Sequence, residues 1–278
     1  MDQVTYQGIG LDAETALALL EWQLEMGADM PVGDAPVDRF DLPARPDAPP
    51  APMPAMAATV ATTPMMAPAP EDADIAALSA RAAALAAAAP DLAALSAAQE
   101  GFDGIELKKG ARSFCFADGR PGARVLIVGE APGDEEDRQG RPFVGRAGQL
   151  LDRMFAAIGL ARDAVDAEAA LYIVNVLTWR PPGNRDPGAD EIALSLPFLR
   201  RHVELADPDI VVLMGNTPCQ AALGRRGILR LRGQWTEAFG RPALPMTHPA
   251  YLLRNPQAKR EAWADLLSLR ARLESLSV

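Results

Sequence analysis

Three short stretches of this chain carry polar residues where chemistry can be done. Glu130 opens Gly129-Glu-Ala-Pro-Gly133, which runs into four acids, Asp134 to Asp137, and then Arg138. Asn175 ends the apolar run Tyr172-Ile-Val-Asn175 and is followed by Arg180-Pro-Pro-Gly-Asn-Arg185. His248 stands between Leu244-Pro-Met-Thr247 and Pro249-Ala-Tyr-Leu-Leu-Arg254. An amide offers one acceptor and two donors, an imidazole can donate to developing negative charge, and a carboxylate can orient water. Taken singly, each residue also has an ordinary explanation. His248 reads as a satisfied structural histidine, Asn175 as a turn cap, and Phe143 as core. His202, the only other histidine, lies in Arg200-Arg-His-Val-Glu204 and reads as a surface residue of a helix.

The elements that would hold these residues share one pattern. Short apolar runs rich in β-branched residues read as buried strands at Val125–Val128, Leu171–Leu177, Asp209–Met214 and Ala243–Thr247. Helical patterns fall between and after them, at about 146–158, 189–204, 217–224 and 256–275. Alternation of this kind predicts an α/β fold: a three-layer αβα sandwich around a central, mostly parallel four-stranded sheet. Every strand-to-helix loop then opens on one sheet edge, where such folds place ligand sites. The chain lacks both G-x-G-x-x-G and G-x-x-x-x-G-K-[ST], which argues against a nucleotide-cofactor enzyme.

Composition divides the chain. Residues 1–100 hold three basic and 15 acidic residues, a net of −12, whereas the remaining 178 residues hold 24 and 22, a net of +2. All but three of those later bases are arginine, which suits a grip on phosphate and equally suits GC-rich coding. A short N-terminal helix is expected within 1–30, over Leu11–Met26, either docked on the body or bound to a protein partner. Residues 31–70 contain 11 of the 25 prolines and read as a disordered linker. Two alanine-rich helices follow in 71–100, interrupted by Pro90, and a folded domain occupies 101–278. The sheet is thus expected behind a disordered and helical N-terminal leader. Cys115 and Cys219 are far apart, which fits a reducing cytoplasm. No signal peptide and no run of about 18 apolar residues is visible, so a cytoplasmic protein without membrane contact is expected, and a monomer.

Four motifs, in order, resemble the family 4 uracil-DNA glycosylases. They are GEAPGDEED at 129–137, GRPFVGRAGQLLD at 140–152, YIVNVLTWRPPGNRDP at 172–187 and HPAYLLRNPQAK at 248–259. The resemblance covers about residues 101–270 and implies an αβα domain that binds uracil-containing DNA. It implies hydrolysis of the N-glycosidic bond of deoxyuridine, the first step of base excision repair, with the base flipped out of the duplex. By the same resemblance Phe143 stacks on the base, and Asn175 pairs with its N3–H and O4. His248 and backbone N–H groups of the 130–133 loop stabilise the departing anion. Glu130 is the nearest acid for water, because Ala131 occupies the position at which better-known relatives of the fold carry an Asp. Glu136 is expected to bond Asn175 from behind, and Gly133 replaces a bulky Tyr that excludes the thymine methyl in another relative. Tyr251, Leu252 and Leu253 include the expected wedge into the duplex, and Arg180, Arg185 and Arg254 the phosphate contacts. Pro-Pro-Gly-Asn-Arg reads equally as a rigid turn.

The family pattern also includes four cysteines that bind a 4Fe–4S cluster. This chain has Phe102, Ile105, Trp179 and Ser195 at those places, so no cofactor is expected. The Lys-Arg-Arg-Ile-His insertion of the branch that captures uracil-DNA covalently is absent as well. The rival reading is a catalytically weak uracil-DNA binding or scaffold protein that recruits partners through its acidic leader.

Overall fold

The computed structural model describes residues 5–6, 9–10 and 70–276. The chain falls into two compact units, 1–63 and 64–278. In the first, β1 (Thr5–Tyr6) pairs antiparallel with β2 (Ile9–Gly10). The expected Leu11–Met26 helix and the proline-rich stretch lie outside the described residues.

The second unit begins with α1 (Pro70–Ala88) and α2 (Leu92–Gly101). Asp91 caps α2, its carboxylate accepting from Ala94 N at 2.8 Å. A six-stranded sheet follows, in the order β3 (Asp118–Gly119), β5 (Leu171–Asn175), β4 (Val125–Gly129), β6 (Ile210–Met214), β8 (Arg241–Met246), β7 (Thr236–Ala238). The four central strands are parallel, and they are the four read from the sequence. The outer two are antiparallel edges that the sequence reading did not anticipate. Both are too short and too polar to show a strand period, and they exist because a neighbouring strand templates them.

The period of two in the central strands sorts their side chains onto two faces. Leu126, Val128, Val174, Val211 and Leu213 pack with α1, α2 and α5 (Ala189–Ala206), through residues such as Ala82, Leu95, Phe198 and Val203. Val125, Ile127, Ile173, Val212 and Leu244 pack on the other face against α4 (Arg146–Ala156) and α9 (Lys259–Leu276), through Leu151, Phe155, Leu266 and Leu269. These are the three layers. The two alanine-rich helices share the core of the first face.

Short helices fill the strand-end loops. The acid run is α3 (Asp134–Gln139), whose first-turn acids complement the helix dipole. α6 (Asn216–Leu223) and α7 (Ile228–Leu231) follow β6, and α8 (Pro249–Arg254) follows β8. No helix among the described residues is long and apolar enough to cross a membrane.

His202 corrects its sequence reading. It is buried in α5, its Nε2 lies 2.8 Å from the Tyr172 hydroxyl, and Phe116 stacks on its ring at 4.4 Å. The flanking arginines and Glu204 suggested a wet face, but the next position on the helix turns toward the sheet. Burial pushes its pKa down to about 3, against an ordinary 6.5. The unfolded chain therefore takes up a proton near pH 6.5 that the folded chain refuses until about pH 3. Stability contributed by the neutral ring is present above pH 6.5 and is lost as the pH falls below it. The thermal midpoint should drop between pH 7 and pH 5, and His202→Gln should flatten that dependence. An unchanged profile in the variant would show that the buried ring does not control it.

Candidate active site

The ends of β4, β5, β6 and β8 open on one edge of the sheet, and a cavity of about 560 Å³ lies there. Its walls include Glu130, Ala131, Gly133, Phe143, Thr247 and His248. A second cavity of about 720 Å³, beside Trp235 and Arg272, touches none of these strand ends.

Phe143 lines the cavity, and Asn175 lies beside Phe143 at the end of β5, buried and not itself among the lining residues. A Cβ at Gly129 would overlap both Asn175 Oδ1 and the Phe143 ring, so only glycine at the end of β4 lets them converge. Asn175 is 4% exposed, and its Oδ1 has no hydrogen-bond partner. An unpaired buried acceptor costs about 1–3 kcal/mol. Glu136 does not relieve it, contrary to the sequence expectation. The Glu136 carboxylate instead accepts from Val144 N and Gly145 N, both at 2.9 Å, and from Gly133 N at 3.1 Å. It staples the α3 turn to the loop that carries Phe143, and these three donors occupy it.

Phe143 is held under strain. Its φ of 54° is left-handed, a region that bulky residues rarely enter and that costs about 1–3 kcal/mol. Arg162 donates to Phe143 O at 2.8 Å and to Pro142 O at 3.1 Å, while pairing with Asp118 and Asp152. Gly148 leaves room for the Phe143 carbonyl, which any Cβ would overlap. The core reading of Phe143 is also true, because it is only 5% exposed and packs with Ile127 and Leu151. Arg162 carried no motif-level signal in the sequence.

His248 stacks on Phe143, with ring centroids 5.3 Å apart and planes 28° apart. Its Nδ1 accepts from Ala250 N at 3.1 Å, so the neutral ring carries its proton on Nε2. Dense packing pushes its pKa down to about 4; the Arg254 charge adds to this and Glu136 opposes it. At neutral pH it is an uncharged donor.

Glu130 is partly buried and accepts from the Thr217 hydroxyl at 2.6 Å. That contact comes from a fourth strand end, Gly215-Asn216-Thr217 after β6, which the sequence reading did not single out. Of the loop N–H groups, Gly133 N is spent on Glu136 and Pro132 has none, which leaves Ala131 N without an acceptor among the described residues.

The outer residues divide. Leu252 is 1% exposed and packs with Leu150 and Ala262, so it anchors α8 and cannot be the wedge; Tyr251 and Leu253 are partly exposed. These residues lie in a helix turn, so one face of it must point inward. Arg180 is paired with Asp134 at 2.7 Å and Arg185 with Glu191 at 2.6 Å, so the Pro-Pro-Gly-Asn-Arg segment is tied at both ends to neighbouring helices. Arg254 is exposed with no carboxylate partner among the described residues.

At the four positions where the resemblance places cluster cysteines, Phe102, Ile105, Trp179 and Ser195 are each at most 8% exposed. Phe102 packs on Phe198 at 5.5 Å and Trp179 on Phe114 at 5.0 Å. Trp179 Nε1 and Ser195 Oγ lack partners there, but an indole and a hydroxyl cannot replace four thiolates. Both cysteines are buried elsewhere, and burial raises each thiol to about 12. Among the described residues no group of His, Cys, Asp and Glu could hold a metal. The residues present do not fit the cluster.

Comparison with known proteins identifies the family. A family model for the uracil DNA glycosylase superfamily matches residues 116–267. A Thermotoga maritima protein named type-4 uracil-DNA glycosylase is 40% identical over 141 residues, 50% of this chain and 70% of that protein. Proteins of the same name from Sulfurisphaera tokodaii and Archaeoglobus fulgidus are 38% and 37% identical over 163 and 169 residues. Those matches cover 55% and 58% of this chain, and 71% and 82% of the relatives. With more than half of its length matched by the family model, the chain belongs to the uracil DNA glycosylase superfamily and is type-4-like within it.

Proposed function

We propose that this protein is a DNA repair glycosylase that hydrolyses the N-glycosidic bond of deoxyuridine, releasing uracil and leaving an abasic site. The observation that carries the reading is the unpaired, buried Asn175 Oδ1 beside the Phe143 ring. A free acceptor there suits a ligand that brings its own donor, and uracil N3–H is such a donor. The Asn175 amide N–H then meets O4. Cytosine presents the reverse pattern and would leave polar atoms unpaired, a strong basis for rejection.

The base must leave the duplex to reach the cavity, at a cost of a few kcal/mol. It stacks on Phe143, which lines the cavity beside His248. The strained, Arg162-clamped backbone fixes the ring in advance, so the order needed for stacking already exists before DNA binds. As the bond breaks, negative charge grows on the uracil, chiefly at O2. His248 Nε2–H and Ala131 N–H are the donors for it, each contributing about 3–4 kcal/mol in such sites. A neutral donor suffices and holds no charge in the pocket beforehand. Glu130, steadied by Thr217, orients water towards the cationic sugar. Water adds to the sugar cation as the C–N bond is lost, and its proton passes through Glu130 or solvent to the uracil anion, so no strong base is required.

The test is release of uracil from single- and double-stranded oligonucleotides, with thymine- and cytosine-containing controls. Release from uracil substrates alone is the expected result. Tight binding of uracil-DNA without release would favour the scaffold reading instead.

The same proposal includes work without an iron–sulfur cluster. Phe102, Ile105 and Trp179 fill the space with apolar packing, so structure that a cluster would hold together is held by side chains. Purified protein should be colourless and iron-free, and excision should survive chelators. Stoichiometric iron with a charge-transfer band near roughly 400 nm would overturn this.

A further inference from the structure

We propose that residues Gly224–Arg232, between α6 and α7 and on into the turn beyond, form a second DNA-gripping loop on the rim of the pocket. The inference rests on the reading of that pocket as the uracil site. The segment Gly-Arg-Arg-Gly-Ile-Leu-Arg-Leu-Arg carries four arginines, and no acid occurs between Asn216 and Thr236. Arg232 is taken up inside by Asp265 and Glu261. Arg225, Arg226 and Arg230 face water. Some other arginines are matched, Arg138 with Asp134 and Glu135, Arg180 with Asp134, Arg185 with Glu191 and Arg270 with Glu274, while exposed Arg146, Arg153, Arg254 and Arg260 have no carboxylate partner among the described residues. Arg225 and Arg230 likewise have no carboxylate partner among the described residues, Arg226 only approaches the exposed Asp186 at 3.8 Å, and here the three cluster in a stretch without acids.

The loop is built into the pocket wall. The Asn216 side chain, at the end of β6, accepts from Gly227 N at 3.0 Å and Ile228 N at 2.9 Å. Gly224 and Gly227 take φ of 64° and 100°, which bend the chain back at both ends of the arginine pair. Arg226 and Ile228 consequently line the same cavity as Glu130 and His248. α7 turns Leu231 inward, 5% exposed, and leaves Leu229 outward at 59%, between Arg226 and Arg230. An exposed leucine flanked by unpaired cations beside a base pocket matches a nucleic-acid surface: cations for phosphates, and an apolar tip against sugar or an unstacked base step. A polyanion is the partner that this charge fits, and the substrate already brings one to the rim.

The experiment measures affinity for a duplex holding one 2′-fluorinated, hydrolysis-resistant deoxyuridine, at salt from roughly 50 to 200 mM. The full chain is compared with Arg225→Gln/Arg226→Gln/Arg230→Gln, with Leu229→Ala, and with Arg270→Gln on α9 as the control. Each lost phosphate contact removes about 0.9 from the slope of log K against log salt. The triple variant should show a slope shallower by about two to three and bind at least about tenfold more weakly at low salt. Its single-turnover plateau should fall by much less than its affinity. Leu229→Ala should weaken binding of the duplex more than of the single strand, with the slope unchanged. A triple variant whose slope equals that of the control overturns the proposal. Should the unaltered protein bind this duplex no better than its thymidine counterpart, the pocket reading fails, and the slope comparison still decides the loop.

Discussion

Replacing His248 by alanine is expected to slow single-turnover excision of uracil by about two to three orders of magnitude. Affinity for DNA holding a non-cleavable deoxyuridine should fall little. The reason lies in when the interaction matters. The imidazole donates from Nε2, because Nδ1 is engaged by Ala250 N, and its pKa near 4 keeps it neutral. A neutral donor gains most when its acceptor becomes an anion, which happens as the bond breaks, so the loss belongs to the chemical step. Two of the four loop residues that might share the task cannot, since Pro132 lacks an N–H and Gly133 N is bound to Glu136. His248→Gln keeps an amide donor and should lose less than His248→Ala. The rate set by this residue should also stay level from about pH 8 to pH 5, because its proton arrives only near pH 4. A rate that fell as the pH rose through the ordinary 6.5 would show instead that the ring works as a cation. Normal single-turnover rates in His248→Ala would leave the ring a structural partner of Phe143.

The sequence shows this site well where a residue type is out of place in its element. Asn175 at the end of an apolar strand and His248 before a proline both signal through such misfit, and both line up at the strand ends. Central strands are equally visible because burial on both faces leaves an unbroken apolar run. What stays hidden depends on partners distant in sequence. The two-residue β3 has no pattern of its own and exists because β5 pairs with it. Leu252 cannot be told from Leu253 until the turn of α8 decides which one faces Leu150. Glu136 invites an amide partner, yet three backbone N–H groups brought in by the fold outbid Asn175. Arg162 and Thr217 position Phe143 and Glu130 from other elements, so no local motif marks them.

Asn175 allows a sharper separation of function from structure, since its unpaired acceptor makes opposite predictions for the two. If the residue were a turn cap, removing it would cost stability. Its Oδ1 has no partner within the chain, so Asn175→Ala removes a buried, unsatisfied atom and should leave the thermal midpoint unchanged or higher. Excision should nevertheless fall by about two to four orders of magnitude, as two hydrogen bonds to the base at about 1–3 kcal/mol each are lost. Binding of non-cleavable uracil-DNA should weaken with it, unlike the His248 case, because Asn175 holds the base before the bond breaks. Asn175→Asp separates acceptor from donor. The carboxylate still accepts from N3–H but repels O4 and the departing anion, so uracil excision should be at least as slow as in Asn175→Ala. Cytosine, whose exocyclic amine is a donor, should gain a low but measurable rate of release. A destabilised Asn175→Ala that still excises uracil at the normal rate would place Asn175 among the structural residues, and base reading would then have to come from elsewhere in the cavity.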